Sequence, residues 1–113
     1  MLKKEILRNK RDFDRLFKKG KSAGGKYLVL FFVRNGFEYN RRAFLASKKV
    51  GNSVQRNRAR RLIRESFRVV EGGLKPGFDI LFIARNTMTE TRAKQKDIEK
   101  NMKQLLTKSG LLL

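Results

Sequence analysis

Residues 48–68 read KKVGNSVQRNRARRLIRESFR. Within and just beyond this stretch, Ala59, Leu62, Ile63, Ser66, Phe67 and Val70 recur at i, i+3, i+4, i+7, i+8 and i+11. That period places them on one face of a helix, which the pattern sets at residues 56–70 and buries against a core. Residues 51–54 form its entry, and Glu71-Gly72-Gly73 its end. Arg60, Arg61, Arg64 and Arg68 fall on the opposite arc, with Glu65 the sole acid among them. Arginines three and four apart on a helix repel one another, so the arc is unfavourable until something neutralises it. A guanidinium is always charged, and its planar fork grips two phosphate oxygens at once. Asn52 and Asn57 add neutral donors, and Gly51 allows positive φ or close backbone approach. The face is suited to a polyanion.

Working outward, Asn9 is a good N-cap for a helix over residues 10–19. Asp12 suits its positive end, Phe13, Leu16 and Phe17 share one face, and Gly20 is placed for a left-handed stop. Residues 22–25 read as a loop. Residues 27–34 read as a strand, with Tyr27, Val29 and Phe31 pointing one way and Leu28, Leu30 and Phe32 the other. Asn35-Gly36 is a strong hairpin signal, which predicts a return strand within residues 37–48. Beyond the basic helix come a Lys75-Pro76-Gly77 turn, a strand at 78–84 and a loop at 86–90. A helix at 93–109 follows, its Ile98, Met102, Leu105 and Leu106 on one face. Gly110 stops it, and residues 111–113 are left as a frayed tail. Helix, two or three strands, helix, strand, helix is the order of an α+β sandwich, here a single domain over residues 1–113.

Charge decides the class of partner. The chain carries 29 Lys plus Arg against 10 Asp plus Glu, a formal net charge of +19. Self-repulsion on that scale opposes compaction, and a nucleic acid relieves it while releasing counterions. Anionic membrane is the competitor, but the longest apolar run, residues 27–33, falls far short of the roughly 20 residues that span a bilayer. No signal peptide is expected, and the absence of Cys fits a reducing cytosol. The absence of His removes the commonest general base and metal ligand. Asp12 and Asp14 face apart on a helix. The remaining acids are scattered and read as surface charges rather than a two-metal site. The aromatic residues Phe13, Phe17, Phe31 and Phe32 read either as core or as a platform on which unpaired bases stack beside Lys10, Arg11, Lys18 and Lys19.

The run Lys48-Lys49-Val50-Gly51-Asn52, then Val54, Arg56-Asn57-Arg58 and Arg60-Arg61-Leu62-Ile63-Arg64 resembles the signature of the bacterial ribonuclease P protein component. Asp12-Phe13, Phe17 and Gly20 are similar to that family's opening helix, and the order of elements matches over nearly the whole chain. The resemblance implies a two-layer α/β sandwich like domain 2 of ribosomal protein S5. Its crossover through the basic helix would be left-handed, against the usual hand of parallel connections. It also implies an accessory, cytoplasmic role without membrane contact, one protein per ribonuclease P RNA. That RNA cleaves the 5′ leader from precursor tRNA with Mg²⁺, for which no ligand is assigned on the protein. On the same resemblance, Lys48, Lys49, Asn52, Arg56, Asn57, Arg58, Arg60, Arg61 and Arg64, with Arg68 from the arc, face the catalytic RNA. Phe13, Phe17 and Phe31 line a cleft for the single-stranded leader, and no residue is catalytic. The alternatives are a ribosomal or general binder of structured RNA, and a protein-only nuclease acting through an acid such as Asp79.

Overall fold

The computed structural model describes residues 3–113. Its frame is a four-stranded sheet in the order β1 (Lys21–Gly24), β2 (Leu28–Arg34), β4 (Phe78–Ala84), β3 (Arg41–Ala46). β2 is antiparallel to β1 and β4, and β3 runs parallel to β4. β4 reads FDILFIA and is buried almost throughout, as a strand covered on both faces should be. The helix α2 (Ser53–Val70) carries the chain from β3 to its parallel neighbour.

The Asn-Gly expectation fails in an informative way. Gly36 takes φ 78° and the Asn35 side chain accepts from the Phe37 N–H, so a turn forms. The strand that follows is nevertheless not β2's partner, because β4 lies between them. β4 can fill a two-sided interior position; β3, which begins Arg41-Arg42, cannot, and it takes the edge. The hairpin is instead β1–β2, formed where residues 22–25 were expected to be a loop, and closed by Gly25 N–H to Leu28 C=O at 2.8 Å.

α2 and α4 (Gln95–Lys108) pack together on one face of the sheet. Leu28, Leu30, Ile80 and Phe82 from the strands meet Ile63, Phe67, Ile98, Met102 and Leu106 in the main core. Buried Asn101 pins α4 to the start of β2, its Oδ1 accepting from the N–H groups of Tyr27 (2.9 Å) and Leu28 (3.1 Å). Tyr27 precedes the first residue of β2 and packs on the main core rather than on the side of Phe31. α2 starts earlier than the apolar period suggests because Asn52 and Gln55 form a reciprocal capping box, 2.9 Å in each direction. Residues 86–90 are not all loop: α3 is a single turn, Thr87–Glu90, with Met88 buried. The tail is not frayed, since Leu111 is buried and Leu112 bridges Leu74.

Among the described residues, the other face carries only α1 (Lys10–Lys19) and the segment before it, around a small cluster of Leu7, Leu16 and Leu81. Asn9 occupies the N-cap position without a side-chain cap bond. Gly20 is extended (φ −77°, ψ 167°), not left-handed; it is needed for space, since a Cβ there would lie 2.3 Å from the Leu16 carbonyl oxygen. No helix among the described residues is long and apolar enough to cross a membrane.

Candidate nucleic-acid interface

The basic surface is built by α2 and the turn before it. Lys48 and Lys49 lie exposed in a 3-10 turn, Lys48–Val50, anchored by buried Val50. Gly51 follows at φ 144°, where a Cβ would meet the Gln55 amide at 2.0 Å and break the capping box. Asn52 fixes the helix start with its side-chain Oδ1, which accepts from the Gln55 N–H. On α2 the buried residues are Ala59, Ile63, Ser66, Phe67 and Val70, with Leu62 at the margin. Arg61, Arg64 and Arg68 are exposed on the far side; Arg56 and Arg60 are half-buried on the flank. Asn57, Arg58, Arg60, Arg61 and Arg64 surround a shallow groove with Val54. Three arginines of α2 are held by neutral groups. Arg56 donates to Ser53 Oγ at 3.2 Å. Arg60 donates to Asn57 Oδ1, and Arg58 donates to the Ala93 carbonyl at 3.0 Å. Among the described residues, no arginine of α2 is in a salt bridge.

The opposite face of the sheet is apolar and partly open. Register stacks three cross-strand rows there: Val33–Asp79–Arg41, Phe31–Leu81–Ala43 and Val29–Ile83–Leu45. α1 sits over the first two. Asp12 and Arg15 reach the first row, and Leu16, buried completely, packs with Leu81 in the second. Phe17 stands edge-on to Phe31 at 5.1 Å and remains 48 % exposed. The third row is the least covered, with Leu45 40 % exposed. Phe13 packs on the small cluster and also lines a groove with Ile6, Leu7, Ala43 and Leu45, closed on its far side by Arg64 of α2. Lys10, Arg11, Lys18 and Lys19 are all exposed beside these rings. Phe17 is thus a wall, while Phe13 and Phe31 are part core and part wall. Sequence reading missed Ile83 and Leu45 as floor residues, because strand parity becomes a surface only once the register is known.

Asp79 is the buried exception to the expectation of scattered surface acids. It is fully enclosed and accepts from Arg15 (2.8 Å), Arg41 Nε (2.8 Å), Arg41 Nη2 (2.7 Å) and Asn35 Nδ2 (3.1 Å). The hydrogen bonds to Asp79, more than that to Asp12, hold the Arg41 guanidinium even more firmly protonated than usual. A lone acid inside FDILFIA was itself the available signal, since a buried carboxylate requires partners. These pins clamp α1 to the sheet. Across the sheet, buried Arg42 lies 5.3 Å from the Phe67 ring and bonds Glu5 (3.3 Å) and Glu71 (3.2 Å). Among the described residues, no group of three acids is placed to hold a metal ion.

The Ribonuclease P family model matches residues 1–110. This chain belongs to the ribonuclease P protein family. A ribonuclease P protein component from Alkaliphilus oremlandii is 43% identical over 106 residues, covering 94% of this chain and 91% of its own. The RNase P protein from Thermotoga maritima superposes with a TM-score of 0.82 at 36% identity, over 92% of this chain and 96% of that one. The Staphylococcus aureus RNase P protein gives 0.84 at 28% identity, over 96% and 98%. Ribonuclease P proteins are components of an endoribonuclease ribonucleoprotein, and the mixed α+β sandwich described above is their fold.

Proposed function

We propose that this chain seats itself on the catalytic RNA of ribonuclease P through α2 and holds the 5′ leader of precursor tRNA in the cleft beneath α1. One observation carries the reading. Arg64 lines both the arginine groove of α2 and the apolar groove beside Phe13, so the two surfaces meet at the edge of β3. An RNA helix on the arc and a single strand in the cleft would then be neighbours. Arg61, Arg64 and Arg68 contribute sequence-independent phosphate neutralisation. Phe17, half exposed, supplies a stacking face worth ~1–3 kcal/mol per base.

Mature tRNA lacks the leader, so the cleft strengthens binding of substrate over product. Lys48, Lys49, Arg56, Arg58 and Arg60 extend the RNA face, and Phe13 and Phe31 complete the cleft wall. The bond is broken by the RNA. Asp79 has both oxygens taken by Arg15, Arg41 and Asn35, and Asp12 is paired with Arg41, so the acids beneath α1 offer no cluster of free oxygens to a hard cation. Mg²⁺ is accordingly assigned to the RNA, with one protein per RNA in the cytoplasm. The same saturation of Asp79 argues against a protein-only nuclease.

The test combines purified protein, a bacterial ribonuclease P RNA and 5′-labelled precursor tRNA at low Mg²⁺, singly and together. Cleavage at the mature 5′ end should require the RNA and rise when protein is added. Absence of stimulation with a competent RNA would reduce the chain to a general RNA binder. Cleavage by RNA-free protein would move the catalytic centre into it.

A further inference from the structure

Arg92 is the one non-glycine residue among those described with positive φ, at 52°. An L side chain adopts that backbone only at a cost that glycine avoids, so an arginine kept there points to use of its side chain. It sits at the exposed corner between α3 and α4 and lines a shallow groove with Gln55, Arg58 and Thr89. Arg58 also lines the arginine groove of α2, and its bond to the Ala93 carbonyl ties that helix to this corner. The basic surface therefore turns off α2 without a break.

It continues on α4. Lys96, Lys100 and Lys103 follow at i, i+4 and i+7 on the exposed side, opposite the buried Ile98, Met102, Leu105 and Leu106. Among the described residues, none of the three is in a salt bridge. Glu99, the acid in their groove, is half-buried and bonded to Gln95 at 3.3 Å. Glu99 stands three residues from Lys96 and four from Lys103 yet pairs with neither, and Lys96 and Lys100, four apart, repel one another. The three lysines span about 10 Å of helix.

We infer that Arg92 and the α4 stripe Lys96–Lys100–Lys103 form a second RNA contact, continuous with the α2 arc through Arg58, that takes the sugar–phosphate backbone of an RNA segment. This rests on the reading of α2 as an RNA-binding face. Lysines are point charges without the fork of arginine, so the contact adds affinity and placement but no sequence preference.

The experiment measures binding across a salt series for wild type, Arg92→Gly, the triple variant K96Q/K100Q/K103Q, and R60A/R64A as the α2 reference. The slope of log K against log salt should fall in magnitude by about one for Arg92→Gly and by about two to three for the triple variant. Arg92→Gly should also melt at or above the wild-type temperature, because the backbone strain is relieved. A fall in the binary complex with ribonuclease P RNA identifies that RNA as the occupant. A fall only when precursor tRNA joins the assembled complex identifies the tRNA body. Wild-type slopes for both new variants, with a reduced slope for R60A/R64A, would overturn the α4 contact and leave the α2 reading intact. Wild-type slopes for all three would overturn both. A lowered melting temperature for Arg92→Gly with its slope unchanged would make Arg92 a structural residue and remove it from the contact.

Discussion

On the α2–α4 side of the sheet, Phe67 is wedged between Phe44 and Phe82, with ring centroids 5.5 and 6.2 Å away, and is 2 % exposed. On the α1 side, Phe17 meets Phe31 at 5.1 Å and stays 48 % exposed. The residue type and edge contact are alike, but the roles differ. Two helices close the first face, so whatever that side does for a ligand must be done by the outward surfaces of α2 and α4. One helix covers only part of the second face, so the sheet itself is available there. The closed face gains stability from apolar area; the open face, with a cluster of three buried leucines, leans on Asp79 and its arginines to hold α1 in place.

The sharpest way to break that comparison is Phe67→Ala. Removing a ring from the closed face should cost about 3–5 kcal/mol in chemical denaturation. A loss as small as that of Phe17→Ala would mean the two faces are packed alike. Next, Asp79→Asn leaves Arg15 and Arg41 without their shared carboxylate and should cost about 3 kcal/mol. It should also loosen α1, seen as faster amide exchange over residues 10–19. Unchanged exchange would show that the apolar contacts alone hold the helix. Phe17→Ala should weaken precursor tRNA binding by ~1–3 kcal/mol relative to mature tRNA. Its cost in stability should be smaller than either preceding change. Equal losses for the two tRNAs, together with a large drop in melting temperature, would return Phe17 to the core. The smallest effect on stability belongs to Arg60→Ala with Arg64→Ala, within about 0.5 kcal/mol of wild type. That pair should still lower the salt slope for ribonuclease P RNA by about two. An intact slope would put the RNA on another face.

How far the sequence could be read depended on the range of the signal. α1 and the buried stripe of α2 follow from a period of 3.6, and β4 from a short apolar run after a Pro-Gly turn, which are local properties. The Asn52–Gln55 box is also local, and attention to capping chemistry would have placed the start of α2 at Ser53. Pairing is not local. Asn35-Gly36 makes its turn, but nothing near it reveals that β4, more than thirty residues on, will displace β3 from the side of β2. The cleft floor was hidden for the same reason. Val29, Ile83 and Leu45 form a row only in the β2–β4–β3 register. The Arg-rich face needed no register, since one helix carries it whole. The tail of three leucines was misjudged because its receptor, Leu74, lies on the far side of the core in sequence.

The strand order β1-β2-β4-β3 also constrains how the chain assembles in time. The central strand is the last of the four to appear, and until it arrives β2 and β3 have no backbone partner in common. A chain emerging from its N-terminus therefore contains, up to residue 77, every residue of β1, β2, β3 and the arginine arc, but not the strand that joins β2 to β3. Closing the sheet means inserting β4 between two waiting edges in one concerted event, a long-range step of the kind that slows folding. Up to that moment the chain already carries the arginines of α2 but lacks Leu81 and Ile83, the middle residues of two rows on the open face, so the charge of one surface precedes the geometry of the other in the order of synthesis.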